Sequence, residues 1–296
     1  MERENRLLLL FIFIVVCALL GALYWVRTNT SLIKAPTYAA TPSDDRTAAK
    51  LFEVPVLTDR KEQSTDLVKH MTYEVHFPDI ALVERPELAK DANAVVSAFV
   101  HDSVNAFLKD ADEAYSPDIA NESSSDFSMR WSALLLSPTI ISLRFDFSEY
   151  TAGAAHPNSG TRILNYDLEK HLLLQTPDLF ASTSKALPFL SEFSRTALTT
   201  ILADQPKYSF ESEMAAGTEP TSSNFEQVGI TKSGLLIVFS PYQVAPYARG
   251  TVQVDVPNAD LVGTISERVS EAIRMATENI VEATPEGTTS STQMEY

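Results

Sequence analysis

The sequence predicts an α+β fold in which antiparallel sheets pack against helices, placed after an N-terminal transmembrane helix. Several short segments alternate apolar and polar residues, as half-buried strands do, and three longer segments repeat apolar residues every three or four positions, as amphipathic helices do. The helices fall between groups of strands that can pair through short hairpins. An antiparallel α+β arrangement therefore fits better than a doubly wound parallel sheet.

Strands are predicted where the alternation is clear or where an apolar run is bounded by turn residues. The clearest alternation lies in Tyr73–Phe77 and Ile141–Phe147. The other predicted strands are Trp131–Leu136, Ile163–Leu168, Phe225–Ile230, Leu235–Phe239 and Val252–Val256. These segments are long enough to bury a core, which we assign to two closely linked α+β subdomains at residues 65–150 and 151–282.

Three helices are predicted from apolar stripes, which mark core faces more often than binding grooves. The first begins near Pro86 and the second follows Ser184. The third follows Asn258 and carries its stripe from Leu261 to Ile280.

The amino end contains an uncharged apolar run from Leu7 to Trp25. Nineteen residues at 1.5 Å each cover about 28 Å, close to the roughly 30 Å of a bilayer core. A cleaved signal peptide is the alternative, but its apolar region is usually shorter and no small-x-small cleavage site follows directly. We expect a single-pass anchor with residues 1–6 in the cytoplasm and the rest outside. A flexible tether is predicted at 26–64 and a disordered tail at 283–296.

The composition narrows the partners of the predicted external domain. The chain carries a formal net charge of −16 and has a single cysteine, Cys17, which lies inside the predicted span. An acidic domain is a poor partner for nucleic acid or anionic lipid surfaces and can attract a cationic protein. The alternative is that the acidity serves solubility alone.

The segment Ser240–Gly250 is predicted to display an aromatic surface. Pro241 and Pro246 stop the preceding strand and stiffen the loop, because proline fixes φ and removes a backbone donor. Tyr242 and Tyr247 then offer rigid aromatic area with a polar tip, a combination favoured at protein interfaces. The alternative is that both tyrosines cover the edge of a core. We include Pro241, Tyr242, Pro246, Tyr247 and Arg249 in a candidate partner-binding site.

A second candidate contact is the turn at His156-Pro157-Asn158. Proline restricts the residue before it to extended backbone, and asparagine suits the turn that follows, so a structural role is favoured over general-base catalysis. The five histidines include no pair at metal-ligand helical spacing. No catalytic residue, metal site or cofactor is predicted from the remaining motifs.

Several blocks resemble a bacterial domain family of unassigned general function. In order they are His156-Pro-Asn158, Asn165-Tyr-Asp-Leu168, Asp178-Leu-Phe180 and Pro241-Tyr-x-x-Ala-Pro-Tyr-Ala-x-Gly250. Similar blocks occur in the external domain of RsiV-type lysozyme-sensing anti-sigma factors and in the amino-terminal module of PdaC-type peptidoglycan deacetylases. The resemblance is good over residues 145–261 and looser over 67–150.

What the resemblance implies is limited by what this sequence retains. Six residues before the predicted span are too few for a sigma-binding domain, and the metal-binding Asp and His-x-x-x-His pair of the deacetylases are not found. We therefore expect a non-catalytic, membrane-anchored binding or sensing module for a wall-active protein such as lysozyme. The alternatives are a module that binds peptidoglycan or another glycan and, third, a cell-wall-modifying enzyme.

Overall fold

The computed structural model describes residues 53–120, 123–203 and 211–282. The predicted cytoplasmic end, the span Leu7–Trp25, most of the predicted tether and the predicted tail 283–296 lie outside these residues. None of the described helices is both long and apolar enough to cross a membrane. The described residues all belong to one compact unit.

The larger sheet has six strands whose spatial order follows the chain. They are β1 (Val56–Asp66), β2 (Met71–Ala81), β3 (Ser125–Leu136), β4 (Ile140–Tyr150), β5 (Asn158–Asp167) and β6 (Leu172–Leu173). Every neighbouring pair is antiparallel except β2 and β3, which are parallel. A parallel pair needs a crossover connection, and a long helix supplies it.

That helix, α1 (Pro86–Ala114), forms the first hydrophobic core with one face of the sheet. Its proline lies at the start, where the missing backbone donor costs nothing. Its buried side chains recur every three or four positions, including Ala92, Val96, Val100 and Phe107. They meet the inward-facing residues of β2 to β5, so the first predicted helix is confirmed. A single turn, α2 (Pro117–Ala120), follows.

Strand β1 corrects the predicted tether. The sequence predicts a flexible linker up to residue 64, but the chain from Val56 onward pairs with β2, in register from Val56 opposite Ala81 to Asp66 opposite Met71. The strand has no apolar alternation because nearly all of its side chains are exposed. It is specified by the backbone ladder with β2 rather than by burial, and local hydrophobic periodicity carries no signal for that.

The second sheet has three antiparallel strands, β7 (Val228–Thr231), β8 (Gly234–Phe239) and β9 (Val252–Pro257). It forms a second core with α3 (Thr183–Ile201) and with the carboxyl-terminal helix α6 (Glu267–Glu282). A short helix, α4 (Glu211–Gly217), precedes β7. This core also takes Leu135 and Ile140 from the β3–β4 hairpin, so the two cores lie against the same six-stranded sheet.

Two predicted elements are wrong in their bounds. The third helix is interrupted: α5 (Asn258–Leu261) ends before Gly263, whose φ of 76° breaks the helix, and α6 begins at Glu267. The predicted strand Phe225–Ile230 begins at Val228, because Phe225 is buried in a 3-10 turn. In both cases an apolar residue of the pattern is packed in the core without continuing the regular element.

The α+β class with antiparallel sheets is confirmed. The predicted division at residues 150 and 151 falls between β4 and β5, which are paired from Ile140 opposite Asp167 to Glu149 opposite Asn158. The six-stranded sheet therefore crosses that position, and the two cores share it.

Candidate functional site

The loop after β8 begins with a tight turn that holds Tyr242 in a strained backbone conformation. The backbone N–H of Gln243 donates to the Ser240 carbonyl at 3.0 Å, and the Ser240 N–H donates to Oε1 of the Gln243 side chain at 3.0 Å. Between them Tyr242 has a φ of 69°, which is unfavourable for a residue with a Cβ. Its side chain is 62% exposed. A bulky residue persists there because its neighbours fix the turn.

The middle of the loop is fixed to the body of the domain. Val244 and Ala245 are buried in the second core, and the Gln243 amide donates to the carbonyls of Gly217 at 3.2 Å and Asn224 at 2.9 Å. The backbone of α4 comes so close that a Cβ added to Gly217 would lie 1.9 Å from the Gln243 carbonyl oxygen. The loop is therefore a rigid part of the fold.

The end of the loop is a 3-10 turn, Tyr247–Arg249, which begins after Pro246. Arg249 donates from its backbone N–H to the Pro246 carbonyl at 2.9 Å and from Nη2 to the carbonyl of Ile201 at 3.1 Å, at the end of α3. Gly250, with a φ of 67°, then leads the chain into β9. These bonds set the position from which the Tyr247 ring projects.

The His-Pro-Asn turn connects β4 to β5. Asn158 begins β5 opposite Glu149, and its side-chain amide donates to Oε1 of that glutamate at 2.7 Å. Glu149 is therefore the residue that holds Asn158 in its predicted structural role at the turn. His156 and Asn158 are both exposed.

The loop and the turn meet, and their rings form a stack that we call the aromatic ladder: His156, Tyr247 and Tyr242. The centroids of the His156 and Tyr247 rings are 4.7 Å apart at an interplanar angle of 37°. Those of Tyr247 and Tyr242 are 5.1 Å apart at 31°. The Tyr247 hydroxyl donates to the Pro157 carbonyl at 2.7 Å and so ties the two segments together.

The same carbonyl fixes the protonation of the His156 ring. Nδ1 of His156 lies 2.9 Å from the Pro157 oxygen, and a carbonyl oxygen can only accept. Nδ1 therefore carries a proton and donates it to this carbonyl. The ladder offers a partner two phenol rings and one imidazole ring.

The structure thus brings together the candidate residues that the sequence placed in two distant segments. Tyr242, Tyr247 and His156 form the ladder, whereas Pro241, Pro246, Arg249 and Asn158 shape and support it. Sequence reasoning missed Gln243 and Gly217, which hold the loop in place. A glycine at the end of a short helix and a lone glutamine carry no local signal for such a role.

The Asn165-Tyr-Asp-Leu168 block has a structural role that follows from strand alternation. Tyr166 and Leu168 point into the first core. Asn165 points to the other side, where its amide donates to the Val228 carbonyl of β7 at 2.8 Å and Oδ1 accepts from the Ser142 hydroxyl at 2.6 Å. The block therefore joins the two sheets.

Asp167 completes that junction as a buried ion pair. Its carboxylate accepts from Nε and Nη2 of Arg268, on α6, at 2.9 and 2.7 Å, and from the backbone N–H groups of Glu169 and Lys170. Burial alone would raise the pKa of Asp167, but the bonds from Arg268 and from these amides outweigh it and lower the pKa below its usual value. Arg268 occupies both carboxylate oxygens, so Asp167 has a structural partner rather than His156. Within the described residues no group of three His, Cys, Asp or Glu side chains could hold a metal ion.

These features define an α+β domain with a rigid, exposed aromatic surface. Residues 177–259 match the family model described as "Protein of unknown function (DUF3298)". The matched residues include the Ser240–Gly250 loop, whereas the His156 turn precedes them. The predicted resemblance to a domain family of unknown function is confirmed at this level.

Two solved structures are similar to this chain. A DUF3298 family member from Bacteroides fragilis NCTC 9343 is 19% identical, with a TM-score of 0.53 over 74% of this chain and 96% of the other. A DUF3298 family protein from Pseudomonas aeruginosa PAO1 is 12% identical, with a TM-score of 0.47 over 73% of this chain and 94% of the other. The first likeness shows the fold alone. No curated protein matches the chain.

Proposed function

We propose that this protein is a membrane-anchored, extracytoplasmic binding or sensing module that recognises a cell-wall-active protein such as lysozyme through the aromatic ladder. The module is non-catalytic in this proposal and needs no cofactor. Its anchor is the apolar run Leu7–Trp25. Its kinship with RsiV-type sensors and PdaC-type amino-terminal modules is part of the same proposal.

The observation that carries the proposal is the display of Tyr242. A 62% exposed aromatic side chain at a φ of 69° is unfavourable twice, since its ring meets water and its backbone is strained. A glycine or asparagine would form this turn more easily. Backbone strain of this kind clusters at active sites and at ligand-contacting residues. Tyrosine also contributes large contact area with little loss of side-chain entropy.

Charge and rigidity support a cationic protein partner. The net charge of −16 would attract such a partner over distances of about one Debye length, roughly 10 Å at moderate salt. The loop is held by its own hydrogen bonds and by two buried residues, so little order remains to be gained on binding. The resemblance to lysozyme-sensing modules identifies lysozyme as the first partner to test.

The test is direct binding of lysozyme to the chain from residue 51 onward, measured by calorimetry at low and moderate salt. This boundary keeps β1, which a fragment beginning at residue 65 would remove. We expect binding that weakens with salt and falls at least ten-fold in Tyr242→Ala and Tyr247→Ala, as for central aromatic contacts. Tyr115→Ala, at the end of α1, is the matched control and should bind normally. Absence of binding at low salt would refute the lysozyme partner.

A glycan is the second candidate, and the 62% exposed side chain of Tyr242 favours it. Sugar rings stack on exposed tyrosine rings without needing opposite charge, so binding to peptidoglycan fragments should persist at high salt. Co-sedimentation with purified wall at low and high salt separates the two candidates. Loss of wall binding in Tyr242→Ala would assign the ladder to a glycan, and salt-sensitive lysozyme binding would assign it to a protein.

A further inference from the structure

Helix α3 carries an open apolar groove on one flank, which we call the phenylalanine groove. Its volume is about 430 Å³, and all of the residues that line it belong to this helix: Phe189, Glu192, Phe193, Thr196, Ala197 and Thr200. They follow one another at i, i+3, i+4, i+7, i+8 and i+11, so they form a continuous stripe along about 17 Å of helix.

The groove lies beside the face that α3 buries, and its two phenylalanine rings are held from the domain side. Leu190 and Leu198 are fully buried in the second core, whereas Phe189 and Phe193 are half-buried at its margin. The Phe189 ring lies 6.0 Å from the Phe193 ring and 5.9 Å from the Phe180 ring, centroid to centroid. The apolar surface of α3 is therefore wider than the core that covers it, and clustered apolar exposure of this kind marks interaction sites.

The polar side chains of the groove add one charge and little else. The Thr196 hydroxyl donates to the Glu192 carbonyl at 3.1 Å, so it is satisfied within the helix. Glu192 is exposed, and its carboxylate forms no ion pair with any residue that the structure describes. Arg195, which could reach it from the next turn, donates from Nε to the Thr218 hydroxyl at 2.9 Å instead. The groove thus combines an apolar floor with one uncompensated negative charge.

We propose that the phenylalanine groove is a docking site for a short basic amphipathic helix of a partner protein. Apolar side chains along one face of that helix cover Phe189 and Phe193, and a lysine or arginine beside them pairs with Glu192. Ala197 is small, so it lets the second helix approach α3 closely. The groove is separate from the aromatic ladder, and its proposed role does not rest on the ladder.

Charge complementarity favours this occupant over a second copy of the chain or a lipid surface. The lining contains no lysine or arginine. Two copies packed groove against groove would therefore bring two Glu192 carboxylates into an apolar interface without a cation, which is costly. An anionic lipid surface would be repelled by the net charge of −16. A basic helix supplies both the apolar face and the missing positive charge.

Binding of a synthetic peptide to the full-length protein tests the groove. The probe is a fluorescently labelled peptide of about four helical turns, built from leucine and lysine with all leucines on one helical face. Fluorescence anisotropy should show binding that weakens as salt rises. A peptide of the same composition in scrambled order keeps the charge but loses the apolar face, so it should bind at least about ten-fold more weakly.

Three variants locate the binding. Glu192→Gln should weaken it by about two- to five-fold, the effect of one exposed ion pair. Glu226→Gln is the matched control, since it removes the same charge from an exposed residue outside the groove and should bind normally. Thr196→Lys places a longer, positively charged side chain in the groove without removing core packing. It should weaken binding by about ten-fold or more while the urea midpoint stays unchanged.

Four outcomes would overturn the proposal. They are no binding of the amphipathic peptide, equal binding of the amphipathic and scrambled peptides, equal losses in Glu192→Gln and Glu226→Gln, and normal binding in Thr196→Lys. A dimer that sedimentation detects in the unmodified protein and that Thr196→Lys dissociates would assign the groove to a second copy instead. Because no ladder residue lines the groove, the result is independent of whether lysozyme binds.

Discussion

The strained turn at Tyr242 predicts that a glycine variant is more stable to unfolding than an alanine variant at this position, which is the reverse of the usual order. At a φ of 69° a Cβ costs about 1–2 kcal/mol, which glycine avoids. Glycine in turn costs roughly 0.4–1 kcal/mol through the greater freedom of the unfolded chain. Both variants lose the ring contact with Tyr247, a loss of about 0.5–1.5 kcal/mol. Tyr242→Gly should therefore be about 1 kcal/mol more stable than Tyr242→Ala, and nearly as stable as the unmodified protein.

Urea unfolding of the chain from residue 51 onward measures this difference, with the midpoint followed by tyrosine and tryptophan fluorescence. Ala248→Gly is the control within the same loop, since Ala248 has no positive φ and should lose about 0.5–1 kcal/mol. Both Tyr242 variants lack the ring, so both should lose partner binding to the same extent. Equal stability of the two variants, or greater stability of the alanine one, would refute strain at this turn.

Three further predictions concern the supports of the site. Gly217→Ala places a Cβ 1.9 Å from the Gln243 carbonyl oxygen. It should therefore lower the free energy of unfolding in urea by about 1–3 kcal/mol and weaken partner binding without altering any ladder ring. Normal binding in this variant would contradict the rigid attachment of the loop to the domain. Asp167→Asn should cost about 1–3 kcal/mol at pH 7, because Arg268 loses its buried partner while Nη1 keeps its contact with the exposed Glu169 carboxylate at 2.9 Å. An unchanged urea midpoint would disprove this. Because the pKa of Asp167 is lowered in the folded state, its carboxylate stabilises the fold above about pH 4, and this stabilisation disappears as the pH falls through the folded pKa. Urea unfolding at several pH values should therefore show a smaller loss of stability on acidification in the variant than in the unmodified protein. Tyr247→Phe keeps the ring and loses the hydrogen bond to the Pro157 carbonyl, so its free energy of unfolding should fall by about 1 kcal/mol. Calorimetry should show nearly unchanged partner binding. A large loss of binding would show that the hydroxyl contacts the partner.

The motif blocks divide into two roles in this structure. Asn165 and Asp167 join the two sheets and the carboxyl-terminal helix, and their neighbours Tyr166 and Leu168 fill the first core. Asp178 accepts from the Gln175 N–H at 2.9 Å and so caps a 3-10 turn. These residues all have structural partners within the domain. The loop and turn differ because they leave the rings of Tyr242 and His156 exposed.

Local patterning in the sequence predicted most of the strands and the first two helices, because each of them has at least one buried face. It failed where burial and regular structure separate. Strand β1 is a regular element whose side chains are exposed. Phe225 and Ile265 pack in the core, but the strand and the helix that were predicted to include them do not extend that far. A pattern of apolar residues reports burial, and it reports secondary structure only when the two coincide.

The sequence by itself determined that Pro241 to Tyr247 would be a stiff aromatic loop and that His156 would lie at a turn, since proline chemistry is local. Only the tertiary structure decided that the two meet, with Tyr247 bonded to a carbonyl 90 positions away in the chain. That contact depends on how the second sheet packs against the first and on the register of β4 with β5. Packing between sheets depends on long-range fit, which neither proline nor periodicity encodes.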